Sequence, residues 1–314
     1  MRQITLDEVV SLLKENDDFL ILTHRYPDGD TLGSSYALCH ILRKMGKKAN
    51  VLIDGNLPKL MSYLADDYEE LSFEPSYIIS VDVAAPALLG ENMTQYKDKI
   101  NLCIDHHGSN TMDAENIYVD ANAAAASEII FEILELCDIN IDKDIACALY
   151  TGISTDTGCF CYSNTTERTH IYAAKLMSHC DWKKINRKNF QTKTRSKLKM
   201  ERMVYDTMEF YAGGKCSIIY ITQSMIKMLN AGDDEMEGLA SIPSQVEGVL
   251  MGITMREKPD GIFKISVRTN EGINASDFCK QFGGGGHPGA AGCTIKGDLA
   301  SVKYRLIKAC EETL

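Results

Sequence analysis

The stretch FLILTHRYPDGD, residues 19–30, contains the pattern on which the fold is built. Its first part, FLILT at 19–23, is an apolar run of the length and composition that form a buried β-strand. The run leads directly into His24, Asp28 and Asp30. The sequence therefore predicts a strand that presents metal-type ligands at its carboxyl end.

Similar apolar runs follow along the first half of the chain. They lack the polar alternation of a half-exposed sheet and are separated by stretches of helical character, which indicates a parallel sheet covered on both faces. Further strands are predicted at 50–53, 77–82 and 100–105, and helices at 31–46, 57–65, 85–98, 124–137, 141–154 and 167–180.

The pattern changes after about residue 210. Lys258-Pro259-Asp260-Gly261 lies between two strand-like runs, which is typical of a hairpin. Strands are predicted at 217–222, 248–255 and 262–269, and helices at 275–282 and 299–313. We therefore expect an α/β chain with an N-terminal parallel-sheet domain (1–182), a linker helix within a basic linker (183–210) and a smaller α+β domain with a mixed sheet (211–314).

Charge is distributed unevenly over the 314 residues. Lysine and arginine number 33 against 44 acidic residues, a net charge of −11, which disfavours general binding of nucleic acid or of anionic membrane surfaces. Residues 183–202 are the exception, because they hold nine basic residues and one glutamate. This basic stretch is either a solvated helix or a surface that guides anionic substrate.

The cysteines and the N-terminus predict a reduced, cytoplasmic protein. The 11 cysteines include no CxxC pair, and the first 16 residues form an amphipathic helical pattern rather than a signal peptide. Apolar runs are too short for a membrane span, so we expect no membrane partner. The pair Cys159 and Cys161 is interpreted as packing rather than as metal ligands.

Metal-type ligands occur at four points of the first half. Because the carboxyl ends of parallel strands share one edge of a sheet, we expect these side chains to meet there. Imidazoles and carboxylates without thiolates suit Mn²⁺, Mg²⁺ or Fe²⁺ better than a structural zinc, and crowded acids need cations, so two divalent ions are expected. The candidates are His24, Asp28, Asp30, Asp82, Asp105, His106, His107 and Asp156.

Each candidate taken alone has a simpler interpretation. Asp28-Gly29 is a common turn pair, and Asp82 could cap a helix that starts near residue 85. His106-His107 could be a surface pair, and Asp156 could be a turn or cap residue. Their joint occurrence, each at the end of a strand or helix, favours a shared site.

The sequence resembles a known family at two motifs. Asp105-His106-His107, preceded by the HxxxDxD of residues 24–30, resembles the DHH phosphoesterase superfamily. QFGGGGHPGAAG at 281–292 is similar to the glycine-rich motif of the DHH-associated C-terminal domain. The two-domain length is most similar to the nanoRNase/pAp-phosphatase branch, and this resemblance implies an active site in a cleft between the domains.

The resemblance also implies residue roles. His107 would contact the phosphate or protonate the leaving oxygen, and Asp105 would orient a histidine. Asp82 would bridge two Mn²⁺ ions, for which Mg²⁺ or Co²⁺ are alternatives. One ion would be held by His24, Asp28 and Asp82, and the other by Asp30, Asp82, His106 and Asp156.

The glycine-rich motif is interpreted as an anion-binding loop. Gly284, Gly286 and Gly289 match GxGxxG in form, but they follow a predicted helix, whereas a dinucleotide-binding motif follows a strand. Together with Gly285 these glycines would let backbone N–H groups approach an anion, and His287 would add a side-chain donor. Arg268 matches the family's phosphate-binding arginine, although it could also be an edge-strand arginine in water.

The expected activity follows from this resemblance. It is two-metal hydrolysis of short oligonucleotides to mononucleotides and of 3′-phosphoadenosine 5′-phosphate (pAp) to AMP. The alternatives are hydrolysis of cyclic di-AMP or its linear product pApA and, from another class, a non-catalytic nucleotide sensor. Short oligonucleotides and pAp are the expected partners, long nucleic acid is not, and a homodimer is possible.

Overall fold

The computed structural model describes residues 1–236, 238–270 and 272–314. The chain divides into two units, Met1–Thr192 and Lys193–Leu314. The first unit contains a six-stranded sheet, all parallel, in the order β1-β6-β5-β4-β2-β3. Its strands are β1 (Arg2–Gln3), β2 (Phe19–Leu22), β3 (Ala49–Leu52), β4 (Tyr77–Val81), β5 (Leu102–Asp105) and β6 (Asn116–Val119).

Six α-helices accompany this sheet. They are α1 (Leu6–Glu15), α2 (Gly29–Lys44), α3 (Ala126–Leu136), α4 (Lys143–Asp156), α5 (Glu167–Met177) and α6 (Trp182–Asn186). The predicted parallel α/β architecture is confirmed, with two differences. The stretches at 57–65 and 85–98 form 3₁₀ turns that begin after Pro58 and at Pro86 rather than α-helices. The strands β1 and β6 were not predicted, although β6 is as long as β2 and β3.

The sheet is buried on both faces, as the continuous apolar runs predicted. Phe19 and Ile21 of β2 face the core formed with the α-helices, whereas Leu20 and Leu22 face a second core. That second core includes Met93 from the 3₁₀ segment Glu91–Tyr96. Alternate residues of one strand therefore enter two separate cores, which explains why the strand contains no polar position.

The order of the strands explains how separated ligands meet. β5, β4 and β2 are adjacent in the sheet and parallel. Their carboxyl ends therefore lie side by side at one edge. Asp105, Asp82 and His24 stand at these ends or within two residues of them.

The second unit contains a mixed six-stranded sheet in the order β11-β12-β10-β9-β8-β7, in which only β8 and β9 pair in parallel among the described strands. The predicted hairpin is confirmed, with Ile262 opposite Lys258. The strands are β7 (Glu209–Tyr211), β8 (Cys216–Ile221), β9 (Met251–Lys258), β10 (Ile262–Thr269), β11 (Gly285–Gly286) and β12 (Ala290–Lys296). The helices are α7 (Arg195–Tyr205), α8 (Gln223–Leu229), α9 (Asp233–Met236), α10 (Ala275–Lys280) and α11 (Leu299–Thr313).

The basic stretch does not form the single linker helix that the sequence predicted. It runs through α6, a π-helical turn at Arg187–Gln191, and α7. The two units divide between the last two of these elements, at Thr192 and Lys193. Met200 and Val204 of α7 are buried in a core of the second unit, so part of this stretch belongs to a packed domain.

All 11 cysteines have free thiols. Among the residues that the structure describes, no helix has the length and apolar character that crossing a bilayer requires.

Gly33 controls the packing of α2 against α4, so we predict that Gly33→Ala destabilises the fold. A Cβ at this position would lie 2.4 Å from the backbone oxygen of Ala148, which has no freedom to move aside. Alanine would gain about 0.5–1 kcal/mol in helix propensity, but overpacking costs about 1–3 kcal/mol, so the net free energy of unfolding should fall.

Urea unfolding of the full chain measures this change. Gly289→Ala is the matched control, because a Cβ there meets open space. Equal or higher stability of the Gly33→Ala protein would contradict the packing argument.

Candidate metal centre

Asp82 occupies the centre of the site and has an unusual backbone. It follows β4 directly, its φ is +58°, and its side chain is 4% exposed. Aspartate and asparagine tolerate this left-handed conformation better than most residues, although it is still uncommon for them. The sheet edge therefore carries a buried carboxylate on a left-handed backbone position.

Seven imidazole and carboxylate side chains surround this carboxylate. The ligand atoms fall into groups in which all members lie within 4.8 Å of one another. His24, Asp28 and Asp82 form one group, and Asp30, His106 and Asp156 form a second. A third group joins Asp82 to Asp105, His106 and His107.

Asp82 is connected to two of these groups: it is a member of the group of His24 and Asp28, and it lies close to His106 of the second group. His106 Nε2 lies 3.5 Å from Asp82 Oδ1 and 3.6 Å from Asp156 Oδ2. On the other side, His24 Nε2 lies 3.7 Å from Asp28 Oδ1. These separations exceed hydrogen-bond length but match two ligands that share a cation between them.

The residues present fit a divalent metal. Among the residues that the structure describes, none forms a hydrogen bond with the buried Asp82 Oδ1, although a buried carboxylate oxygen normally requires a partner. Its ionised form is opposed by four other carboxylates, those of Asp28, Asp30, Asp105 and Asp156. Oxygen and imidazole donors around an unsatisfied anion suit a hard divalent cation such as Mn²⁺ or Mg²⁺.

Asp28 and Asp30 are positioned by helix termini. Asp28 is the N-cap of α2, and its Oδ1 accepts the N–H groups of Asp30 and Thr31, both at 3.1 Å. Asp30, the second residue of α2, is 1% exposed. Its carboxylate accepts hydrogen bonds from the N–H groups of Ala126 and Ser127 at 2.6 and 3.0 Å. It therefore caps α3, which has no side-chain cap of its own.

Asp105 orients His107 rather than facing the centre of the cluster. Its Oδ1 accepts hydrogen bonds from the N–H of His106 at 2.8 Å and from Nδ1 of His107 at 2.8 Å, while Oδ2 accepts from Asn110. Burial alone would raise the pKa of Asp105, but the hydrogen bonds from His107 and Asn110 outweigh it and lower the pKa. In return, the hydrogen bond to Asp105 raises the pKa of His107.

Three carboxyls of the cluster have raised pKa values. Burial raises the pKa of Asp30. Burial and the negative charges of Asp30 and Asp28 raise the pKa of Asp82 well above its usual range and that of Asp156 to about 8. The metal-free site therefore favours protonation at neutral pH, and a bound cation would reverse that preference.

The proposed anion-binding residues lie together in the second unit. Arg268 pairs with Ala290 in the β10–β12 ladder, which places it beside the turn that contains His287. The His287 side chain is exposed, and Arg268 is half-buried. Arg268 is therefore next to the glycine-rich motif, of which His287 is a part.

Several backbone donors of that motif are already used. The N–H groups of Gly283 and Gly284 bond to carbonyls at the end of α10, and the N–H of His287 bonds to Ala290. A Cβ at Gly284 would lie 2.2 Å from the Gly292 carbonyl oxygen, so this glycine is required for close strand packing. The loop therefore shapes the surface, and at least three of its backbone N–H groups are hydrogen-bonded within the protein.

Sequence reasoning missed the residues that hold the ligands in place. Neither Asn110 nor Asn164 is among the candidate residues named from the sequence. Asn164 Nδ2 donates to the backbone carbonyls of Ala124 and Asp156 at 3.0 and 3.1 Å. A side chain whose partners are backbone atoms distant in sequence leaves no pattern in a single sequence.

Two family models match the chain: "DHH family, N-terminal domain" over residues 18–153 and "DHHA1 domain" over residues 220–314. The bifunctional oligoribonuclease and PAP phosphatase of Thermus thermophilus is 31% identical over 301 residues, which is 94% of this chain and 89% of that protein. The chain belongs to the DHH family. The family membership that the two sequence motifs predicted is therefore confirmed.

Other proteins are less similar in sequence or resemble the chain in fold. A cyclic-di-AMP phosphodiesterase of Geobacillus thermodenitrificans is 24% identical over 304 residues, which is 88% of this chain but 44% of that protein. The crystal structure of an exopolyphosphatase-related protein from Bacteroides fragilis has a TM-score of 0.88 at 24% identity and covers 98% of this chain and 95% of that one. This structure shares the fold.

The carboxyl cluster predicts an unusual dependence of stability on pH. The raised pKa values of Asp82 and Asp156 mean that the folded, metal-free chain binds protons more tightly than the unfolded chain. Their contribution to stability is present below the usual carboxyl pKa and is lost as the pH rises toward about 8. The melting temperature of the chelator-treated protein should therefore fall over this range.

Thermal unfolding with Asp156→Asn as the comparison tests this prediction. The amide removes one of the titrating groups, so the melting temperature of the variant should fall less steeply with pH. Added Mn²⁺ should stabilise the natural protein more at about pH 8 than at about pH 5. Parallel pH profiles for the two metal-free proteins would contradict the assignment.

Proposed function

We propose that this protein is a two-metal phosphoesterase that hydrolyses short oligonucleotides to mononucleotides and removes the 3′-phosphate of pAp to give AMP. The observation that carries the proposal is the buried carboxylate of Asp82, which belongs to the group of His24 and Asp28 and lies 3.5 Å from His106 of the other group. The Thermus thermophilus relative, named for both activities, supports the substrate class.

The ion-binding roles proposed here divide the cluster in two. His24, Asp28 and Asp82 would hold one divalent ion, and Asp30, Asp82, His106 and Asp156 would hold the other. When bound, such ions supply a nucleophilic water and neutralise charge on the phosphate. Mn²⁺ is the proposed metal, with Mg²⁺ and Co²⁺ as alternatives, because the donors are oxygen and imidazole.

His107 is the proposed catalytic group outside the ion-binding set. Its side chain is 36% exposed, so its Nε2 is free to approach substrate while Nδ1 is held by Asp105. A raised pKa keeps the imidazole protonated nearer to neutral pH. His107 would then contact a phosphate oxygen or donate a proton to the leaving oxygen.

The second unit would bind the part of the substrate remote from the reacting phosphate. Arg268 and His287 are the proposed contacts, with Gly284, Gly285 and Gly286 shaping the surface between them. A few donors suffice for a substrate with two or three phosphates.

The alternative substrates are cyclic di-AMP and pApA. The phosphodiesterase relative is less similar, and this chain spans 44% of it, so these substrates rank second. A non-catalytic sensor is disfavoured because the complete set of imidazoles and carboxylates is retained. Cytoplasmic location is proposed from the free thiols, and a homodimer stays a prediction that light scattering would test.

Replacing the central carboxylate tests the function directly. We predict that Asp82→Asn lowers kcat/KM by about 100-fold or more, because the amide loses the negative charge but tolerates the left-handed backbone. Initial rates should be measured with pAp, pApA, cyclic di-AMP and short RNA, each with added Mn²⁺.

Asp138→Asn is the matched control for this substitution. Asp138 also has a positive φ, of 54°, but it lies exposed in the turn between α3 and α4. It should keep natural activity. A natural protein that binds pAp with Mn²⁺ yet releases no phosphate from any substrate would favour the sensor instead.

A second prediction concerns the coupling of Asp105 to His107. Asp105→Asn should lower kcat/KM by about 10–100-fold and shift the alkaline limb of the pH–rate profile to lower pH. The reason is that removing the carboxylate charge removes the interaction that raises the pKa of His107.

The pH profile of kcat/KM measures this shift. In a His107→Gln background the same Asp105→Asn change should move no limb. If Asp105→Asn still shifts the alkaline limb in the His107→Gln protein, the group that titrates there is not His107.

A further inference from the structure

We propose that Asn164 is a positioning residue for one half of the metal centre. Its carboxamide fastens the segment Ala123–Ser127 to the end of α4, and this segment supports Asp30, His106 and Asp156. The inference rests on the proposed function only where it takes the acidic cluster to bind divalent ions. According to this proposal, the ligands of the two ions are held in place by different parts of the protein.

The segment Ala123–Ser127 contacts two members of the group directly. The backbone carbonyl of Ala123 lies 3.1 Å from Nδ1 of His106, which leaves Nε2 to face the cluster. The N–H groups of Ala126 and Ser127 donate to the two carboxylate oxygens of Asp30. Movement of this backbone would therefore displace one imidazole and one carboxylate together.

Asn164 connects the third member of the group to the same segment. Asp156 is the last residue of α4, where helix carbonyls lack a partner within the helix. Asn164 Nδ2 donates to this carbonyl at 3.1 Å and to the carbonyl of Ala124 at 3.0 Å. A single amide group thus ties the end of one helix to the loop that precedes another.

The opposite side of the segment is held from the protein interior. The N–H of Ala124 donates to Oε2 of Glu128 at 3.1 Å, and Glu128 is fully buried. Arg168 Nε donates to the same oxygen at 3.1 Å. Asn164, by contrast, is exposed, so its removal should loosen the segment without opening a core.

His24 and Asp28 of the other group are supported elsewhere. His24 forms an isolated backbone bridge to Leu89, next to the contact between the Arg25 N–H and the Leu88 carbonyl at 2.8 Å. Asp28 is held by the first N–H groups of α2. Loss of Asn164 should therefore weaken the ion held by Asp30, His106 and Asp156 and leave the other ion nearly unaffected.

Calorimetric titration of the metal-free full chain with Mn²⁺ tests this asymmetry. For Asn164→Ala we expect one of the two Mn²⁺ dissociation constants to rise by about tenfold, at the lower end for ligand-supporting groups, and the other to stay within about twofold. The electron paramagnetic resonance signal of a coupled Mn²⁺ pair should correspondingly require a higher Mn²⁺ concentration. Neither readout depends on turnover.

Asn116→Ala is the matched control. Asn116 also donates a hydrogen bond from its side-chain amide to a backbone carbonyl, that of Asn101 at 3.1 Å. Asn116 is the first residue of β6 and so lies at the amino ends of the parallel strands, away from the cluster at their carboxyl ends. Its replacement should lower the melting temperature without changing either Mn²⁺ affinity. A purely structural role for Asn164 would give this same result.

Two outcomes would overturn the inference: unchanged Mn²⁺ affinities in Asn164→Ala, or equal weakening of both ions. If circular dichroism shows that this variant does not fold, Asn164→Ser replaces it in the test. The serine hydroxyl donates one hydrogen bond, so the loss of Mn²⁺ affinity should be smaller but still confined to one ion.

A natural chain that binds two ions but cleaves no substrate would refute the proposed function and leave this inference standing. A natural chain that binds no Mn²⁺ would refute both.

Discussion

The confinement of several carboxylates around one buried oxygen is the constraint on which the rest of this structure depends. Asp82 Oδ1 has no hydrogen-bond partner in the described part of the chain and faces the negative charges of four other aspartates. Proton binding relieves this repulsion in the metal-free chain, and divalent cations would relieve it near neutral pH. The surrounding protein must hold the arrangement together in both conditions.

Helix termini and close helix packing provide that support. Asp28 caps α2 and Asp30 caps α3, so the positive ends of two helices face the carboxylates. α4 approaches α2 closely at Gly33, and at Gly152 a Cβ would lie 1.9 Å from Ser127 Oγ. The same glycines that let the helices touch also bring Asp156, at the end of α4, next to Asp30 and His106.

The overall acidity of the chain is compatible with an anionic substrate of limited length. Part of the net charge of −11 comes from the cluster itself, and bound cations would cancel that part. Long nucleic acid would need an extended basic surface, because each phosphate contact adds electrostatic affinity. The basic residues of 183–202 are divided between α6, a π-helical turn and α7, and both helices also contribute buried side chains. The stretch 183–202 is therefore partly structural, through its apolar residues Ile185, Met200 and Val204.

The sequence by itself determined the parallel architecture and the composition of the site. Apolar runs that end in His24, Asp82 and Asp105 sufficed, because strands of one parallel sheet end at a common edge. It did not reveal that 57–65 and 85–98 form 3₁₀ turns, since helical spacing over a short proline-bounded stretch does not distinguish the two geometries. Only the tertiary structure decided the left-handed backbone of Asp82, the capping of α3 by Asp30 and the contacts of Asn164. The φ of Asp82 is a local angle that its residue type permits but does not require. The other two features join residues distant in sequence through backbone atoms, whose partners no side-chain pattern records.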